Sequence, residues 1–129
     1  EKPLNRWILR GRSRQFAAYR LKPEQQKHIP AMIAAARRFI GRPYDIQYEL
    51  DDEKICCSEL IYKGWLAATL QQLGKLVKLG DLNWKPHELV IRQIANGLPL
   101  DRVMITPRDL AAAQQLDRIL PLASHSLAR

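Results

Sequence analysis

Residues 41–61 read Gly41-Arg42-Pro43-Tyr44-Asp45-Ile46-Gln47-Tyr48-Glu49-Leu50-Asp51-Asp52-Glu53-Lys54-Ile55-Cys56-Cys57-Ser58-Glu59-Leu60-Ile61. Gly41, with Pro43 beyond it, stops whatever helix precedes them, and Asp51 to Lys54 reads as a turn. Cys56 or Cys57 then opens an apolar run at helical spacing that is expected to continue to about Leu73, with Gly74 as its end. This puts a thiol where a helix begins. Unpaired backbone N–H groups and the positive end of the helix dipole gather there, and both stabilise a thiolate. The thiolate is the form of cysteine that attacks a carbonyl carbon. Cys57, Leu60, Ile61, Gly64 and Ala68 share one helix face, which predicts the thiol at the end of a buried stripe.

Upstream of this stretch, Pro23 suits a first helical position, and Ile29, Met32, Ile33, Ala36, Phe39 and Ile40 fall on one helix face. Pro30 interrupts that face, so the helix bends there or begins there. Gln15 to Leu21 reads as a strand, and Arg6 to Arg10 as a short strand or a helical turn. Downstream, Leu76 to Leu79 is a weak strand and Pro86 to Ala95 a helix closed by Asn96-Gly97. Arg102 to Ile105 is a β-branched strand. Thr106-Pro107-Arg108-Asp109 combines an N-cap, a proline at the first helical position and an acid at the third. Three or four short strands and four helices make an α+β chain, and so few strands form a meagre sheet.

The 129 residues are enough for one domain, 1–129, with a core of its own. Apolar residues make up 47% and charged residues 26%, the balance of a globular protein, and no apolar run approaches the roughly 20 residues that span a bilayer. Two adjacent cysteines do not make a disulfide framework, and two cysteines with three scattered histidines lack the spacing of a metal site. The net charge of +8 is uneven: residues 1–42 hold 11 Lys and Arg against two acids, and the remainder 10 against 11. Such asymmetry suits an anionic partner or a solvated basic face. Trp7 and Tyr19 are interleaved with these cations, yet no nucleic-acid-binding signature accompanies them and no nucleic acid is expected as a partner.

Gly41-x-Pro43-Tyr44, followed thirteen positions after Tyr44 by Cys57-Ser58-x-Leu60-Ile61, resembles the nucleophile segment of the NlpC-type papain-like hydrolases. Tyr44-Asp45, Cys57-Ser58-Glu59-Leu60 and the later Ile105-Thr106-Pro107-x-Asp109-Leu110 resemble the permuted branch of that superfamily. This is the YiiX/YaeF group, related to the lecithin-retinol-acyltransferase-like proteins. The resemblance implies a permuted papain-like α+β domain, a small antiparallel sheet packed against helices. It implies a bacterial cysteine hydrolase that cleaves an amide through an acyl-enzyme, in a peptidoglycan-type or related peptide conjugate. Cys57 matches the nucleophile, and Tyr44 the tyrosine that sits near the thiol. The backbone N–H of Cys57 becomes an oxyanion donor. No metal or organic cofactor is needed.

In the permuted group the histidine base precedes the cysteine, on an upstream strand. This sequence starts at Glu1 and offers only His28 upstream of Cys57, away from that position. The expectation is therefore a chain incomplete at its N-terminus, the nucleophile-bearing C-terminal part, with the catalytic histidine on an upstream segment or another chain. His87 and His125 are weaker candidates for the base. Cys56 is expected to be structural, Glu59 to complement the helix dipole, and Asp45 to hold a turn. Two other functional readings stand beside the amidase: an acyltransferase or lipid esterase whose basic face meets anionic lipid, and a non-catalytic binding module that has lost its base. The compartment, envelope or cytoplasm, is left open.

Overall fold

The structure, a computed structural model, describes residues 16–120 together with Pro3, Arg6, Ile8 and Leu9. Arg6, Ile8 and Leu9 are helical, and the rest of the expected element at Arg6 to Arg10 lies outside the described residues, as do Gln15, Trp7 and His125. The fold is α+β. Strand β1 (Ala18–Leu21) leads into a 3-10 helix, Pro23–His28, which continues directly into helix α1 (Ile29–Ala36). Pro30 lies in the first turn of α1, where its missing N–H costs nothing, so the helix begins there rather than bends. A 3-10 turn, Arg37–Phe39, follows, and Gly41 takes φ +85 to redirect the chain.

Helix α2 (Cys57–Thr69) is the axis of the molecule. It ends at Thr69, four residues short of the expected Leu73, and is capped by Leu70, which adopts φ +59. Thr69 is the physical reason. Its hydroxyl donates to the Trp65 carbonyl at 2.9 Å and accepts the Gln71 N–H at 3.1 Å, offering the backbone an alternative to another helical turn. Strand β2 (Val77–Lys78), two 3-10 turns, helix α3 (Glu88–Ala95), strand β3 (Val103–Met104), helix α4 (Pro107–Ala111) and strand β4 (Leu116–Leu120) complete the order. The expected Asn96 stop is present at φ +50, and Thr106 caps α4 by accepting the Asp109 N–H at 3.2 Å.

The strands form two small antiparallel pairs. β1 lies on β4, with Ala18 opposite Leu120 and Leu21 opposite Leu116, and β2 lies on β3, with Val77 opposite Met104. Strand β4 has no counterpart in the sequence reading.

Tyr62, Trp65, Leu73, Ile105, Leu110 and Ala113 form the core. Trp65 is fully enclosed, with the His28 ring edge-on at 5.7 Å. Helix α1 crosses α2 at Gly64, where a Cβ would come within 3.1 Å of the Met32 carbonyl, so the absent side chain sets how closely the two helices meet.

The expected buried stripe on α2 is corrected by this packing. Its buried residues are Ser58, Glu59, Tyr62, Gly64 and Trp65, whereas Ile61 is 43% exposed and Cys57 is exposed. Tyr62 and Trp65 have the most apolar surface to remove from water, so the helix turns them inward and carries Cys57 and Ile61 out to its edge.

Candidate active site

Cys57 is the first residue of α2, and its thiol is free and exposed. Its N–H is one of the donors at a helix start that have no acceptor one turn back, and the aligned peptide dipoles put partial positive charge at the same place. Cys56 occupies the cap position in extended conformation (φ −101, ψ 169) and is buried, its sulfur 3.5 Å from the Ser58 hydroxyl. The two adjacent thiols thus differ in kind: Cys56 packs, as expected, and Cys57 faces solvent.

Glu59 fixes the helix start. It is 1% exposed, and its carboxylate accepts the N–H of Cys56 at 3.3 Å, the reciprocal half of a capping box. Its other oxygen pairs with the Lys63 ammonium at 2.7 Å. Lys63 also binds the Asp52 carboxylate at 2.6 Å and the Asp51 carbonyl, tying the acidic turn to the helix. Burial alone would push the Lys63 ammonium down, but hydrogen bonds to Asp52 and Glu59 outweigh it and the pKa is raised. The expected turn at Asp51 to Lys54 is present. The Asp51 carboxylate accepts the N–H groups of Lys54 and Glu53, which hold its pKa down.

Tyr44 reaches the thiol. A parallel bridge to Ile55 holds its backbone, through Asp45 N–H to the Ile55 carbonyl (3.2 Å) and Ile55 N–H to the Pro43 carbonyl (3.1 Å). Its hydroxyl donates to Cys57 Sγ at 4.0 Å, a long contact even for sulfur. Loss of hydration, then the hydrogen bond to Cys57, push the phenol up to about 12. The structure therefore brings Cys57 and Tyr44 together.

Two further features of the site were not read from the sequence. Tyr48 takes φ +58, a conformation costly for an aromatic residue, and burial followed by the charges of Cys56 and Cys57 raises its phenol. The strain is held by Asp45, which is 0% exposed and accepts the N–H groups of Gln47 (2.8 Å) and Glu49 (2.6 Å). Arg102, immediately before β3, donates to the Gln47 carbonyl at 2.7 Å and pairs with Glu49 at 3.2 Å. Asp45 as a turn-holding residue was legible. Arg102, 55 positions beyond the Gln47 whose carbonyl it binds, carried no local signal.

The second feature is a cavity of about 580 Å³ against Cys57. It lies between α1, α2, β1, β4 and α4 and is lined by Cys57 and Ile61 together with Leu21, Leu116, Leu110 and Arg108, among others. Among the described residues no histidine lines it. His28 packs on Trp65, and His87 ends an exposed 3-10 turn. Neither His28 nor the candidate base His87 meets the thiol, and the other candidate, His125, lies outside the described residues.

Comparison with known proteins identifies the family. The family described as permuted papain-like amidase enzyme, YaeF/YiiX, C92 family, matches residues 1–120. The chain is 25% identical over 124 residues to the uncharacterized protein YiiX of Escherichia coli (strain K12), covering 91% of this chain and 60% of that protein. The chain thus spans about 60% of the length of the curated relative it matches. A crystal structure of the metalloprotein yiiX from Escherichia coli O157:H7 superposes with a TM-score of 0.74 at 25% identity, over 91% of this chain and 67% of that one. Among the described residues here no group of three His, Cys, Asp or Glu side chains gathers as metal ligands would, and no step below is routed through a metal. With the fold, the matched residues and these relatives in agreement, the chain belongs to the permuted papain-like amidase family of YaeF and YiiX.

Proposed function

We propose that this chain carries the nucleophile of a cysteine hydrolase that cleaves an amide bond through an acyl-enzyme. The observation that carries this reading is the exposed free thiol of Cys57 at the first residue of α2, within reach of the Tyr44 hydroxyl and open to a cavity. The thiolate attacks the carbonyl carbon. The Cys57 N–H and Tyr44 O–H stabilise the oxygen that becomes negative, each such donor being worth about 3 kcal/mol where it is well placed. The amine leaves with the proton taken from the thiol, and water then attacks the thioester, releases the acid and restores the thiol. The proton acceptor lies outside the described residues, in keeping with the permuted group, whose histidine precedes the cysteine.

Family relation suggests either a cell-wall peptide conjugate or a lipid-related acyl compound as substrate. The apolar lining of the cavity favours the second and keeps the acyltransferase or lipid-esterase reading beside the amidase. Trapping tests the chemistry. The whole protein, incubated with acyl anilides and quenched in acid, is expected to carry the acyl mass on the peptide containing Cys57. Cys57→Ala should lose both the adduct and turnover, while Cys56→Ala keeps them. Turnover surviving in Cys57→Ala would sink the proposal.

A further inference from the structure

Helix α1 reads Ile-Pro-Ala-Met-Ile-Ala-Ala-Ala, eight apolar residues in a row, and none of them is buried. A helix that is apolar all round belongs inside a protein or against a membrane, because every face of it gains by leaving water. One face has its cover, since Met32 and Ala36 lie against α2 at Gly64. The opposite face carries Pro30, Ile33, Ala34 and Arg37, at offsets of three, four and seven, and all are exposed. Ile33 is 49% exposed, and Ile40, just past the 3-10 turn that follows α1, is 79% exposed.

The charge around this face has one sign. From Gln25 to Tyr44 the sequence holds Lys27, Arg37, Arg38 and Arg42 and neither Asp nor Glu. All four cations are exposed, and among the described residues none of them pairs with a carboxylate. Lys63, whose ammonium lies 5.4 Å from the centre of the Phe39 ring, takes up Asp52 and Glu59. The face therefore suits an occupant that is apolar and anionic at once. A wholly acidic polymer would satisfy the arginines and leave Ile33 and Ile40 in water. A bilayer of anionic lipid offers both, with phosphate lying directly over hydrocarbon. Isoleucine side chains enter the boundary between headgroup and acyl chain, and guanidinium groups there meet phosphate with paired N–H donors. We propose that the outer face of α1, continued through Ile40 and Arg42, docks the protein on the surface of an anionic membrane. Tyr44 follows Arg42 by two residues and its hydroxyl meets Cys57, so docking brings the thiol beside the bilayer. The docking itself does not depend on the chemistry of Cys57.

The test is co-sedimentation of the whole protein with vesicles of phosphatidylcholine containing phosphatidylglycerol, set against vesicles of phosphatidylcholine alone. Binding is expected to the first and should weaken as salt rises. Arg37→Gln, Arg38→Gln and Arg42→Gln should each weaken it about fivefold, the worth of one cation near the surface. Ile33→Ser combined with Ile40→Ser should weaken it about tenfold or more, by the same ratio at each salt concentration, since hydrocarbon and not charge is withdrawn. Leu89→Ser, at an exposed leucine on α3, should change nothing. All these substitutions are at exposed positions, and circular dichroism should show the fold unaltered. A protein that stays in solution with anionic vesicles at low salt would overturn the proposal. So would an equal loss in Leu89→Ser, or isoleucine variants that bind as the unaltered protein does, which would assign the face to an acidic polymer. A dimer that Ile40→Ser breaks into monomers would assign it to a second copy of the chain instead.

Discussion

Tyr44 is more than half exposed, yet its phenol is pushed up to about 12 by lost hydration and by the thiol beside it. It therefore stays protonated, and able to donate, throughout the range in which a thiolate forms. The folded chain keeps this proton at a pH where the unfolded chain releases it. The contribution is complete below about pH 10 and is lost as pH rises towards 12. In an ultraviolet difference titration, Tyr44→Phe should remove the last tyrosine step. On the proposed mechanism turnover should fall about tenfold or more with little change in melting temperature, since that mechanism loses one donor to the reacting oxygen, at an exposed position. A variant that keeps full turnover would remove Tyr44 from the mechanism. The pair Tyr44 and Cys57 was legible in the sequence because the motif places them a fixed distance apart. Tyr48 was not, because nothing in its local sequence announces a left-handed backbone.

Among the elements, α2 holds the site, and its first turn is held in turn by Glu59. That residue was expected only to complement the dipole, yet it is buried, accepts the Cys56 N–H and pairs with Lys63. Sequence shows an acid at the third helical position but not whether the chain folds over it. Glu59→Ala should cost about 2 kcal/mol in urea unfolding, less than a fully broken buried pair because Lys63 keeps Asp52. Glu59→Gln, which retains an acceptor for the cap, should cost less than Glu59→Ala. Equal losses would assign the whole effect to charge and none to the cap. The Lys63 pairing adds a pH signature in the same experiment. With the pKa raised in the fold, its contribution is present below the unfolded value and fades as pH climbs through the folded one.

Across the whole molecule, local signals were read well and distant pairings were not. The helix start at Cys57, the stops at Gly41 and Asn96, the cap at Thr106 and strands β2 and β3 all follow from neighbouring residues. Strand β4, the cavity and the clamp by Arg102 depend on parts of the chain far apart in sequence, and no window of residues contains them. The clamp has a consequence in time as well as space. Residues 45–49 have no helix or strand, and by shape they are a surface loop. Yet the amide hydrogens of Gln47 and Glu49 are held by a carboxylate that water does not reach. In deuterium exchange they should be retained as long as the amides of α2, and Arg102→Ala should release them first. Exchange at the rate of a free peptide would mean the clamp opens in solution. A stretch that looks like a natural cutting point would then be one in fact; held as the structure shows it, it gives a protease no purchase.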